Sequence, residues 1–273
     1  MTTSRHWSRR DVLALGALAS AATVAGCTPG QSASPVKATS PDDLASPKSA
    51  PTGAASPVAT PAESTRVGPA GPAHEIARGS STTSAVALTF HGAGDPTIAT
   101  AVLREIERAH GLATVFAVGS WLQSNSSIGR RILDGGHVLG NHTMNHKPMR
   151  RLTAAAAFDE IARGAAIVHQ LSGSTGWFRP SGTPHATPTI LAAAGKVGYH
   201  TSIAYDVDPA DYTDPGQRAV TSRVLGGVRP GSIVSLHLGH TGTLAAMPAI
   251  LEGLAARNLA AVTVTTLLDG VRA

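Results

Sequence analysis

The chain has 273 residues, a formal net charge of +5 and one cysteine. Its basic residues form no dense run and are not interleaved with aromatics, which argues against nucleic acid as a partner. The single cysteine excludes an internal disulfide, so the fold must be held by its hydrophobic core.

The first 27 residues have the pattern of an export signal. Arg9-Arg10 precede an apolar run that ends near Ala25 and is too short for a membrane span. The paired arginines resemble a twin-arginine signal, with an ordinary secretory signal as the alternative. The run ends in Gly26-Cys27, which resembles a bacterial lipobox, in which the cysteine is lipidated. We therefore predict a lipoprotein signal peptide in 1–27 and an exported protein. A lipid on Cys27 would hold the protein at the outer face of the cytoplasmic membrane. The alternative location is extracellular.

Residues 28–78 have the composition of a linker. Nine of the eighteen prolines lie here, mixed with Ser, Ala and Thr. Such a segment buries too little apolar surface to offset its ordering entropy. We predict a disordered, extended linker over 28–78 and one folded domain over 79–273, which is long enough for a sizeable core.

Strand-like and helix-like segments alternate along the folded part. Short apolar, β-branched runs predict strands, and apolar residues at helical spacing predict helices that often end at glycine. The predicted elements, in chain order, are strand 85–90, helix 98–109, strand 113–118, helix 128–133, strand 138–140, helix 152–171, strand 175–179, helix 188–197, strand 201–205, helix 217–225, strand 232–238, helix 245–257 and strand 260–264. This alternation predicts an α/β fold with parallel strands, and seven or eight such units can close into a barrel.

Polar residues follow several predicted strands, at the edge where a parallel barrel carries its chemistry. They are His91, His142, His146, Arg179, Asp208, Asp211 and His237. His142 and His146 are four residues apart, a spacing at which two imidazoles can bind one metal ion. Taken singly, the others have ordinary explanations: a surface ion pair for the arginine, a core position for His237 and solvation for the aspartates.

In this order the residues resemble the motifs of the polysaccharide deacetylase family, also called the NodB-homology family or carbohydrate esterase family four. His142-Thr143-Met144-Asn145-His146 is similar to the second motif, His-Ser/Thr-x-x-His, and is the most specific match. Arg179-Pro180-Ser181-Gly182, Asp208-Pro209-Ala210-Asp211-Tyr212 and Leu236-His237 stand in place of the third, fourth and fifth motifs. The resemblance covers about residues 86–267 and implies a distorted, TIM-like (β/α) barrel.

The resemblance implies a hydrolase that removes N- or O-acetyl groups from an acetylated glycan of the cell envelope, such as peptidoglycan or a chitin-like oligomer. It implies a divalent metal, typically zinc, on His142 and His146, and His237 as the acid that protonates the leaving amine. Arg179 would orient the general base, and Asp208 or Asp211 would support the acid. A metal polarises the carbonyl and lowers the pKa of its water, and the leaving nitrogen needs a proton.

The first motif departs from the family pattern Thr-Phe-Asp-Asp-Gly. The chain has Thr89-Phe90-His91-Gly92-Ala93, so the aspartates expected as general base and as metal ligand are both missing. We place His91 in the catalytic set, where a nearby Arg179 would keep it neutral as a base. We assign Asp95 as the third metal ligand, with His91 or His185 as alternatives.

A further alternative is that the domain is inactive. Two histidines alone make a poor zinc site, since catalytic sites usually have three protein ligands. The domain would then be a deacetylase-fold module that binds cell-wall glycan without turnover.

Overall fold

The structure is a computed structural model that describes residues 71–269. The predicted signal peptide, the lipidation site Cys27 and most of the predicted linker lie outside these residues. Within 71–269, no helix has the length and apolar character needed to cross a membrane.

Strands and helices alternate along most of the described chain. The strands are β1 (His74–Ile76), β2 (Ala85–Gly92), β3 (Thr114–Ala117), β4 (Val138–Asn141), β5 (Thr201–Ile203), β6 (Ile233–His237) and β7 (Ala260–Val262). The helices are α1 (Pro96–Arg108), α2 (Gly119–Ser124), α3 (Ser126–Asp134), α4 (Ala154–Ser172), α5 (Pro188–Val197), α6 (Gln217–Gly227), α7 (Thr241–Ala255) and α8 (Val264–Asp269). Short 3₁₀ turns occupy Met149–Arg151 and Asp211–Thr213.

The named strands all pair in parallel. The order in the larger sheet is β4-β3-β2-β6, and β7 pairs with the beginning of β2, while β1 pairs with β5. Single bridges join the two sheets: Phe178 contacts both Asn141 and Ser202, and Val207 contacts Val234 of β6. These bridges close a ring of parallel segments. The predicted distorted (β/α) barrel is therefore confirmed, although parts of its wall are single bridges rather than ladders.

Strand β2 lies at the centre of the sheet and is buried on both faces. Val86, Leu88 and Phe90 join one core cluster, whereas Ala87 joins another. A central parallel strand is covered on both sides, and this explains its nearly continuous apolar sequence. At its end His91 is in register with His237 of β6.

Several segments differ from the sequence prediction. Helices α2 and α8 were not predicted. Residues 74–76, which the sequence places in the linker, form β1, so the folded part begins before residue 79. The predicted strand 175–179 makes only the bridge at Phe178. Gly176, with φ at +64°, interrupts the extended conformation there.

Candidate metal and active site

Three histidines meet at the carboxyl ends of β2 and β4. One ligand nitrogen from each of His91, His142 and His146 lies within 4.8 Å of the others. The ring centroid of His142 is 4.4 Å from that of His91 and 5.0 Å from that of His146. His142 is buried, while His146 is exposed to the cavity side. Three imidazoles thus converge as a three-ligand metal centre requires.

The hydrogen bonding of His142 leaves one nitrogen for a ligand. Its Nδ1 lies 2.9 Å from the carbonyl oxygen of Arg179, which can only accept, so Nδ1 carries the proton. Its Nε2 is buried and has no hydrogen-bond partner among the described residues. A buried unpaired nitrogen is costly, and a metal ion would satisfy it. Burial, with the neighbouring His146, also holds the pKa of His142 well below its ordinary value, which favours the neutral form that binds metals.

His91 lies in the ligand group rather than apart from it as an isolated base. Its Nε2 is 3.0 Å from the Oγ of Ser235. Burial lowers the pKa of His91 well below its ordinary value, and the charges of His142 and Arg179 lower it further. A neutral His91 is therefore available as the third ligand.

The structure does not bring Asp95 or His185 to this group. Asp95 is exposed and caps α1, where its carboxylate accepts the N–H of Thr97 at 2.7 Å. His185 is exposed, and its Nδ1 lies 2.9 Å from Glu75. His91, and not Asp95 or His185, stands beside His142 and His146 in the structure. The carboxylate of Asp95 is instead hydrogen-bonded to the beginning of α1.

Gly92 stands where the resemblance implies a ligand aspartate, and it is tightly packed. Gly92 is in register with Ala117 of β3. A Cβ on residue 92 would lie 2.9 Å from the Cα of Ala117 and 2.8 Å from Cγ1 of Val115. A side chain at this position would therefore require β3 or the side chain of Val115 to shift.

Arg179 is buried beneath the histidines, with 1% of its surface exposed. Its guanidinium donates to Thr89 Oγ1 at 2.8 Å and to the carbonyl oxygens of Ile203 and Ala204 at 2.9 and 3.1 Å. It forms no ion pair with a carboxylate in the described part of the chain. Burial lowers the pKa of Arg179 to about 9. Its donors do not reach His91, so it acts on the site through its charge and its own carbonyl group.

His237 and Asp211 form a hydrogen-bonded pair beside the three histidines. The Nδ1 of His237 lies 2.8 Å from Oδ1 of Asp211. Oδ2 of Asp211 accepts the main-chain N–H of His237 at 2.8 Å and the hydroxyl of Thr243 at 2.6 Å. Asp208, by contrast, is exposed and accepts the N–H of Ala210. Of the two aspartates that the sequence left open, Asp211 is therefore the one in contact with His237.

Two cavities flank the histidines and share His91, His146, Tyr212 and His237 in their walls. The smaller, about 390 Å³, is also lined by Tyr205 and Asp208. The larger, about 700 Å³, is also lined by Val118, Trp121 and Asn145. Neither is lined by a lysine or arginine of the described chain, and the only carboxylate among the described lining residues is that of Asp208 in the smaller cavity.

Sequence reasoning missed several residues that support the site. Ser235 contacts His91, and Thr243 contacts Asp211. Alternation along β6 places the side chain of Ser235 on the same face as that of His237, which is a usable signal. Thr243 lies on α7, and no local pattern marks it.

Comparison with known proteins agrees with this geometry. The family model described as polysaccharide deacetylase matches residues 78–202. A peptidoglycan-N-acetylglucosamine deacetylase of Bacillus cereus is 30% identical over 187 residues, which cover 67% of this chain and 87% of the relative. A chitooligosaccharide deacetylase of a Bradyrhizobium species is 31% identical over 160 residues, covering 58% and 72%.

Solved structures include both an enzyme and a protein described as a pseudoenzyme. A peptidoglycan N-acetylglucosamine deacetylase superposes with a TM-score of 0.67 at 25% identity, covering 72% of this chain and 94% of its own. A mutant of a pseudoenzyme of carbohydrate esterase family four, with restored activity, also has a TM-score of 0.67 at 25% identity, covering 71% of each chain. The chain therefore belongs to the polysaccharide deacetylase family.

Proposed function

We propose that this protein is a metal-dependent deacetylase that hydrolyses N-acetyl or O-acetyl groups on a cell-envelope polysaccharide, such as peptidoglycan or a chitin-like oligomer. The observation that carries this proposal is the convergence of three histidines beside the His237–Asp211 pair. Relatives that are peptidoglycan and chitooligosaccharide deacetylases support the substrate class. Export and a lipid anchor on Cys27 complete the proposal, because such a substrate lies outside the cytoplasm.

Zinc is the metal that the ligand set favours. Three imidazoles without a carboxylate suit zinc and related transition metals better than magnesium or calcium. His91, His142 and His146 would hold the ion, and its chemistry when bound is to polarise the acetyl carbonyl and lower the pKa of water. His91 cannot use one lone pair both to bind a metal and to accept a proton, so the role of base is withdrawn from it.

His237 is the residue that we assign to move the proton that the reaction requires. Asp211 accepts its Nδ1–H, which leaves Nε2 directed away from the carboxylate, and the ring lines both cavities. Asp211 fixes the orientation of the ring, and a proton on Nε2 would pass to the leaving nitrogen. Burial lowers the pKa values of His91 and His142, so neither of them is assigned the acid role.

A glycan-binding module without turnover is the second candidate. The loss of both first-motif aspartates favours it. The retained His237–Asp211 pair favours the enzyme, because binding alone gives no reason to keep a buried carboxylate on that histidine.

Acetate release from chitooligosaccharides and from peptidoglycan glycan strands distinguishes the two candidates. We expect turnover by the zinc-loaded protein and a loss of about 100-fold or more in His237→Ala, with zinc content unchanged. His185→Ala is the matched control, because His185 also pairs with a carboxylate, that of Glu75, but is exposed and lines neither cavity. Glycan binding without acetate release by the wild-type protein would establish the second candidate, and wild-type turnover in His237→Ala would exclude the acid role.

A further inference from the structure

One buried carboxylate outside the catalytic set is directed at the loop that carries two of the three histidines. Glu160 lies on α4 with 1% of its surface exposed. Its Oε2 accepts the main-chain N–H of Asn145 at 2.8 Å, and its Oε1 accepts the side-chain amide of Asn145 at 2.8 Å. The Nζ of Lys147 lies 3.0 Å from the same Oε1. The side-chain contacts of Glu160 thus hold the residues on either side of His146.

The loop needs this support because its backbone is unusual. Thr143 and His146 have φ values of +68° and +54°, in the left-handed region that non-glycine residues seldom adopt. Such backbone conformations persist only where contacts with the surrounding structure hold them, and they concentrate at functional sites. Here the second of them belongs to a histidine of the ligand group.

Helix α4 makes a second, independent set of contacts with the same loop. The main-chain N–H of Met144 donates to the carbonyl oxygen of Glu160 at 2.9 Å. One turn later, a Cβ on Gly164 would lie 2.9 Å from the carbonyl carbon of Thr143. The helix backbone therefore packs directly against the loop, and Glu160 projects from the part of the helix that faces it.

The carboxylate remains charged at neutral pH. Burial alone would raise the pKa of Glu160, but the hydrogen bonds from Asn145 and the contact with Lys147 outweigh it and leave that pKa below its ordinary value. Hydrogen bonds to a charged acceptor are stronger than neutral ones, which suits a carboxylate that fixes a strained loop.

We propose that Glu160 is a positioning residue for the metal centre: it fixes the backbone around His146 and so sets that imidazole against those of His91 and His142. This rests on the three-histidine site of the proposed function. Mutation of a residue that orients a metal ligand without binding the metal itself typically lowers metal affinity by about 10–100-fold. Asn145 also lines the larger cavity, so the same carboxylate fixes part of the cavity wall.

The test compares zinc affinity, measured by competition with a chelator, in the wild type and in Glu160→Gln. Asp159→Asn is the matched control, because Asp159 is adjacent on α4 but exposed and paired only with Arg163. We expect affinity to fall about 10-fold or more in Glu160→Gln, and the visible spectrum of the cobalt-substituted protein to change. The control should match the wild type in both.

A second variant keeps the proposal testable if Glu160→Gln fails to fold. Asn145→Ala removes the partner amide from an exposed position, and we expect a weaker loss of zinc affinity in the same direction. Wild-type affinity and an unchanged cobalt spectrum in both variants would overturn the role of Glu160 while leaving the metal site intact. A wild-type protein that binds no zinc would overturn the metal site itself, and the role of Glu160 with it.

Discussion

Replacing Asp211 by asparagine exchanges one oxygen of a buried carboxylate for an amide group. Asp211 accepts three hydrogen bonds, two from His237 and one from Thr243. An asparagine oxygen in place of Oδ2 retains the main-chain N–H of His237 and the Thr243 hydroxyl. Its NH₂ group then faces the Nδ1–H of His237, so one charge-assisted hydrogen bond is lost and the ring must change tautomer or move.

The expected cost follows from that one bond. A hydrogen bond to a charged group contributes about 1.5–3 kcal/mol, so we expect the free energy of unfolding in urea to fall by that amount. The protonated form of His237 loses its counter-charge, so acetate release should fall about 100-fold or more. Zinc content should not change, because Asp211 is not in the ligand group.

Asp214→Asn is the matched control. Asp214 accepts from Nδ1 of His240 at 2.9 Å, but its side chain is 65% exposed, so water replaces the bond at little cost. Equal effects of the two substitutions on turnover would refute a specific role for the buried pair. So would an Asp211→Asn variant with wild-type stability and turnover.

Two further predictions concern the scaffold. Gly92→Ala should lower the free energy of unfolding by about 1–3 kcal/mol, because its Cβ would press on Ala117. Gly242→Ala is the control and should not lower it, because the space around Gly242 is open. A Gly92→Ala variant as stable as the wild type would contradict the steric account. His137 accepts the N–H of Ala113 through Nδ1, and burial lowers the pKa of His137. Its contribution to stability is therefore present above the unfolded-state pKa near 6.5 and lost as the pH falls through the lower native value. Urea unfolding between pH 7 and 5 should show this fall and a shallower one in His137→Gln, and equal slopes would contradict it.

The barrel could be predicted because most of its strands have a local sequence pattern. Strand β2 is apolar throughout, and glycines mark the ends of several helices. The segment 175–179 was predicted as a strand, but it enters the wall only through single bridges at Phe178, which depend on its neighbours. Strand β1 is short, follows the Pro-rich segment and pairs only with the distant β5, so composition concealed it.

The site was predictable where motifs carry it and not where tertiary packing decides. His142, His146 and His237 follow from motif and strand position, whereas the contact of Asp211 rather than Asp208 with His237 needed the structure. The sequence also could not show that His91 lies beside the two histidines while Asp95 caps α1. Nothing local distinguishes Glu160 from a solvated glutamate on an Ala-rich helix.

Zinc content of the purified protein, measured beside that of His91→Ala and Asp95→Ala, tests the central claim most directly. The three-histidine centre predicts about one zinc per chain in the wild type and in Asp95→Ala, with a large loss in His91→Ala. Full zinc occupancy in His91→Ala, or loss of zinc in Asp95→Ala alone, would contradict it.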